Sequence, residues 1–226
     1  GTKDRSWGVR PVGEREHPGA PEPFTFFWLW APMNFEDACG HFDVNEHPDG
    51  TRWHETAMWS GAIDQGDRGE GGGSDDNDRL DNDVLELELH KGRAAYRLYF
   101  PGGDRHARGA SVFFDLRDRT HQVELESIDT FFMNGIGYSH PTWGHGMYVG
   151  DDVRSYDSVV TADVNRTDPQ NLHIQALCRL RRDDGVEGMG ILEQLFVGPH
   201  TPSGLSGIID AHRGGQTGWH PPLPLT

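Results

Sequence analysis

Short segments with apolar residues at every second position follow one another along most of this chain, and each is stopped by glycine, proline, asparagine or aspartate. No long segment carries a 3.6-residue repeat. A period of two sends alternate side chains to opposite faces of a strand, and frequent breakers turn the chain back on itself. Residues 24–34, FTFFWLWAPMN, are the most apolar of these segments. Phe26, Trp28 and Trp30 share one face and Phe27 and Leu29 the other, so both sides of this strand are expected to be covered. Residues 51–62 read as a further strand after an Asp49-Gly50 turn.

Residues 83–90, DVLELELH, alternate cleanly, with Leu85, Leu87 and Leu89 predicted to face in and Glu86, Glu88 and His90 to face out. Lys91-Gly92 is then expected to turn the chain into a second strand at 94–100, making a hairpin. Residues 110–117, 121–127, 128–138, 158–165, 171–181 and 188–198 continue the series. Such spacing predicts an all-β fold of antiparallel strands. A barrel is favoured over an open sheet because closure leaves no unpaired edge.

The chain has 226 residues, 35% of them hydrophobic, enough for one large β domain or two small ones. A core of that size needs neither a disulfide framework nor a metal staple. Cys39 and Cys178 fit no metal-binding spacing. They are expected to be free and buried, a single long-range disulfide being the alternative. Four regions are read: N-terminal strands in 1–63, an acidic glycine-rich loop in 64–83, the main antiparallel barrel in 84–213 and an extended tail in 214–226. The loop buries too little apolar surface to order itself. A calcium loop counted from Asp75 would place Leu80 where the tight turn needs glycine.

A net charge of -16 repels polyanions, which argues against nucleic acid and anionic membranes as partners. Thirteen histidines soften that charge in mild acid. No apolar run reaches the ~18 residues of a membrane span. Gly1-Thr2-Lys3-Asp4 lacks the apolar core of a signal peptide, so a cytoplasmic protein is expected, and the start without Met fits a processed form or a fragment. Asn165-Arg166-Thr167 is a formal glycosylation sequon.

Three places combine aromatic, imidazole and acid groups. In the first, Asp4 and Trp7 precede the strand bearing Trp28 and Trp30. A carboxyl beside indole rings can be desolvated into a general acid; pairing of Asp4 with Arg5 or Arg10 is the structural alternative. In the second, Tyr138, His140, Trp143 and His145 ride on the glycine-rich segment 135–146, a backbone suited to bulges beside a pocket. The third is Glu193, a carboxylate amid apolar residues that must meet solvent, a partner or a cavity. Cys39, His41 and Asp43 alternate on one strand and make only a weak metal pattern. No metal site or cofactor is predicted. His54-Glu55 does not open an HExxH motif, and no GxSxG, P-loop or dinucleotide fingerprint is present.

Asp4-Arg5-Ser6-Trp7-Gly8, followed by Phe27-Trp28-Leu29-Trp30, resembles the D-x-x-W-G and W-x-W signature of a lipocalin-like superfamily. That superfamily contains the carotenoid 1,2-hydratases (hydroxyneurosporene synthases), AttH-type proteins and relatives such as kievitone hydratase and fungal Diels–Alderases. Residues 135–146 and the strand around Glu193 look like the later part of its uncharacterised bacterial members. The resemblance implies lipocalin-like barrels, as one lobe of a two-lobed pair or with the lobes divided differently. It also implies cofactor-free acid–base chemistry on hydrophobic molecules. Asp4, Trp7, Trp28 and Trp30 match the signature; Tyr138, His140, Trp143, His145 and Glu193 are added on chemical grounds.

The expected function is therefore a hydratase, lyase or cyclase acting on a terpenoid, steroid or polyketide in a barrel pocket. Asp4, Tyr138, His140, His145 and Glu193 would handle protons, and Trp7, Trp28, Trp30 and Trp143 would bind the substrate. The alternative is a non-catalytic carrier of a hydrophobic ligand. A homo-oligomer or a missing N-terminal lobe remain open.

Overall fold

A computed structural model describes residues 25–61, 89–133, 150–154, 156, 158–207 and 210–217. Its strands are β1 (Phe26–Phe35), β2 (Ala38–Glu46), β3 (Arg52–Gly61), β4 (Leu89–Phe100), β5 (Gly109–Leu116), β6 (Thr120–Phe132), β7 (His173–Arg182), β8 (Glu187–Val197) and the short β9 (Gly215–Gln216). From β1 to β8 each strand pairs antiparallel with the next, and β8 pairs back onto β1. The result is a closed eight-stranded up-and-down barrel, the architecture of lipocalin-like proteins. Among the described residues helical structure is limited to 3-10 turns, one of them at Thr161–Asp163, where the sequence suggested a strand. No helix there is long and apolar enough to cross a membrane.

Alternation fills the interior. Phe27, Leu29, Ala31, Met33 and Phe35 of β1 enter the core with Phe42 and Val44 of β2, Ala94, Tyr96 and Leu98 of β4, and Phe196 of β8. Rings meet inside the barrel: Phe27 stacks on Phe196 at 4.4 Å, Phe42 lies 5.7 Å from Tyr96, and Trp59 5.4 Å from Phe114. Each large apolar side chain so buried is worth about 1.5–3 kcal/mol. One end is capped by the Arg182 guanidinium, which lies over Phe35 and Trp59 and is held by Asp37 and Asp184. Toward the other end the wholly buried Gln194 pairs with both the N–H and the C=O of Ala107, as a strand would. Among the described residues, the inward-facing side chains of the strands thus form one packed core.

Two strand expectations need correction. Lys91-Gly92 is not a turn: β4 runs straight through it. Its inward set is Gly92, Ala94, Tyr96, Leu98 and Phe100, so Leu89 points outward and is exposed rather than facing in. Gly92 is needed for closeness, since a Cβ there would lie 2.1 Å from the Asp115 carbonyl oxygen. Residues 121–127 and 128–132 form one strand, β6, broken only by a bulge where Ile128 slips between Ser127 and Asp129. Both cysteines are free, Cys178 buried as expected but Cys39 exposed.

The join between β3 and β4 is the irregular part of the wall. Among the described residues, backbone pairing runs from Ala57 opposite Gly92 to Ser60 opposite Leu89. Beyond it, side chains replace the ladder. Arg52 Nη1 donates to the Ala94 carbonyl at 2.7 Å, and Glu55 Oε1 accepts from the Ala94 N–H at 2.9 Å. Farther along, the tail closes the edge. Thr217 exchanges bonds with the backbone of Leu98, and β9 pairs with Tyr99 and Phe100.

Candidate functional site

The parity that sends Phe27 and Leu29 inward leaves Trp28 and Trp30 on the outer face, each partly buried. Strand register determines their company. Trp30 stands opposite Asp43 on β2 and Glu193 on β8, and Glu193 stands opposite Gln175 on β7. One row along, Trp28 lies opposite Asn45 and Leu195; Leu195 faces His173, and Asn45 faces His54. Leu195, Asn45 and Asp43 are 1%, 4% and 7% exposed although they point away from the core, so this outer face is recessed. Beside it lie exposed Phe131, opposite Gln175, and Leu177, opposite Ile191. The two rows form apolar ground with acid–base groups set into it.

Glu193 is the hub. Oε1 accepts from the Trp28 indole N–H at 3.1 Å and lies 2.9 Å from His173 Nε2, while Oε2 accepts from the Gln175 amide at 2.6 Å. Burial alone would raise its pKa. Hydrogen bonds from His173, Gln175 and Trp28 outweigh burial and hold the carboxyl below the usual glutamate range. Glu193 is therefore an anion that fixes an indole and an imidazole, not an acid carrying a proton to donate.

A second carboxylate lies across the tryptophans. Asp43 is 2.7 Å from His41 Nε2 through one oxygen and 2.7 Å from His54 Nε2 through the other. Trp30 meets the His41 ring edge-on at 6.0 Å, and Trp28 stacks near His54 at 6.4 Å. Between them Asn45 is buried, and its amide nitrogen has no hydrogen-bond partner. The β2–β3 register shifts between Asn45 and Glu46, which leaves Trp53 as an extra, exposed residue beside His54. Bulges of this kind re-aim side chains next to sites.

Of the residues expected to carry chemistry, Trp28, Trp30 and Glu193 are brought together, with Trp28 and Glu193 in direct contact. Asp4, Trp7, Tyr138, His140, Trp143 and His145 lie outside the described residues. Cys39 does not join His41 and Asp43; its thiol points toward Asn34. Among the described residues no three His, Cys, Asp or Glu side chains are grouped to hold a metal ion. His173, Gln175, Asn45 and His54 belong to the cluster and were not singled out by the sequence.

A second constellation has the form of a nucleophilic triad. Ser203 Oγ is 2.8 Å from His200 Nδ1, and His200 Nε2 is 2.9 Å from Glu46 Oε2. All three side chains are buried, and the crevice beside them, lined by Phe27, Glu46 and His200, is too narrow for a water molecule. Glu46 also takes Arg52 Nε at 3.0 Å, and the His200 ring stacks on Phe27 at 3.7 Å. With no room for a substrate, this group serves to clamp the turn after β8 to the barrel mouth.

No curated protein and no solved structure matches the chain. Residues 1–206, a span that includes every barrel strand from β1 to β8, match a family of unknown function, DUF8625, and the chain belongs to that family.

Proposed function

We propose that the chain is a cofactor-free acid–base enzyme of hydratase, lyase or cyclase type, and that its hydrophobic small-molecule substrate lies on the outer face of the barrel against Trp28 and Trp30. The observation that carries this reading is the contact of Glu193 with both the Trp28 indole and the His173 imidazole. It joins a proton carrier, a fixed counter-charge and an aromatic surface on one recessed face. The resemblance of the tryptophan strand to the carotenoid hydratase superfamily supports the same chemistry.

In this reading protonated His173 gives its proton to one carbon of a substrate double bond, whose π pair forms the new C–H bond. The cation left on the other carbon is held against the indole faces, an attraction of about 2 kcal/mol in a dry site. It then either takes up water, which loses a proton, or sheds a proton from a neighbouring carbon. That proton returns to the imidazole. Glu193 keeps the ring oriented, as the carboxylate of a triad does.

The test is incubation with a panel of isoprenoids and polycyclic molecules, following tryptophan emission for binding and mass spectrometry for hydrated or isomerised product. His173→Ala is expected to bind within a few-fold of wild type and to convert substrate about 100-fold more slowly or worse. Binding without conversion by the wild-type protein would make it a carrier. No emission change with any member would remove the outer face as a site.

A further inference from the structure

We propose that Asn45 is the hydrogen-bond donor that selects an oxygen-bearing ligand, a carbonyl or hydroxyl compound rather than a plain hydrocarbon, on the face formed by Trp28 and Trp30. The inference rests on the outer-face reading above and narrows its substrate class.

Asn45 is 4% exposed and its amide nitrogen has no partner. Buried donors are nearly always paired, because leaving one unmade forfeits its bonds to water. The neighbours explain why the protein does not satisfy it. Trp28, opposite on β1, has an indole that can only donate, and it already does so to Glu193. His54, opposite on β3, has its Nε2 2.7 Å from Asp43 Oδ1 and not against the Asn45 amide. The adjacent Glu46 points to the other face by the alternation of β2 and is held by Arg52 and His200.

An acceptor must therefore come from outside the cluster, at the level of the Trp28 ring. A ligand whose apolar frame covers the indoles could bring one in a carbonyl or hydroxyl oxygen. Sites built around a buried donor discriminate strongly against the analogue that lacks the acceptor, because that analogue leaves the donor orphaned. Glu193 is taken by Trp28, His173 and Gln175, and one Asp43 oxygen by His41; the other, Asp43 Oδ1, is itself without a hydrogen-bond partner, and the Asn45 amide does not reach it.

The experiment titrates the full chain with the ketone geranylacetone and with the hydrocarbon of the same skeleton, both transparent where tryptophan emits. A carbonyl is the sharper probe because it only accepts. Wild type is expected to bind the ketone about tenfold more tightly than the hydrocarbon. Asn45→Leu keeps the shape, removes the orphaned donor and should melt no lower than wild type. It is expected to bind both compounds equally, at the hydrocarbon's level. Equal affinity in wild type, or a preference for the ketone that survives in N45L, overturns the role of Asn45. If neither compound changes the emission, the outer-face reading fails first, and the proposal falls with it. The wild-type comparison stands even if N45L does not fold.

Discussion

Glu193 shows how one residue can be costly to bury and still hold its surroundings together. Three donors from β1 and β7 converge on its two oxygens. Its pKa is lowered on folding, so its contribution to stability is full above the ordinary glutamate range and is lost as pH falls through the lower folded value. Glu193→Gln should then cost about 1 kcal/mol at pH 7, and the variant and wild type should converge in acid. Urea unfolding midpoints measured at both pH values check this. A cost that persisted unchanged in acid would mean that packing, not charge, is what Glu193 supplies. Asp104 follows the same rule more strongly. Burial opposes its ionisation, but bonds from His106 and the nearby Arg166 bring its pKa down to about 2.

At the scale of strands, the alternation of β1 was legible because Phe27 and Leu29 on one side and Trp28 and Trp30 on the other differ in polarity as well as size. Periodicity could not tell which side was inside, since both are aromatic. The trigger for the choice lies in long-range register: Trp30 is flanked by Asp43 and Glu193, which cannot share a packed core. His173 and Gln175 are spaced two apart and polar in the otherwise apolar first half of β7, His173 to Cys178, which is a signal. Their meaning appears only once β7 is known to lie beside β8. β4 misled for a different reason. A glycine after a lysine reads as a turn, whereas Gly92 is extended and is required where β4 presses on the backbone of β5. Gly92→Ala is accordingly expected to destabilise by about 2 kcal/mol or more, since the obstructing atoms are main chain and cannot rotate away. A thermal midpoint unchanged from wild type would contradict that.

At the scale of the whole molecule, eight strands close into a wall whose shortest seam, among the described residues, lies between β3 and β4. Arg52 is central to it, bonded to Glu46, near Glu55, bonded to the Ala94 carbonyl, and lying over Tyr96. Removing one partner from such a buried group leaves the others uncompensated, so Arg52→Met should cost about 3–5 kcal/mol, read as a shift in the urea midpoint. A loss under about 1 kcal/mol would show that the ladder of Ala57 to Ser60 carries the closure by itself. Where main-chain rungs hold two strands, opening proceeds by fraying from an end. Where a handful of ionic clasps do so, letting go of one guanidinium frees the whole stretch together. Deuterium should therefore enter the amide of Ala94, which Glu55 holds, ahead of its neighbours on β5, making this line the cylinder's built-in parting.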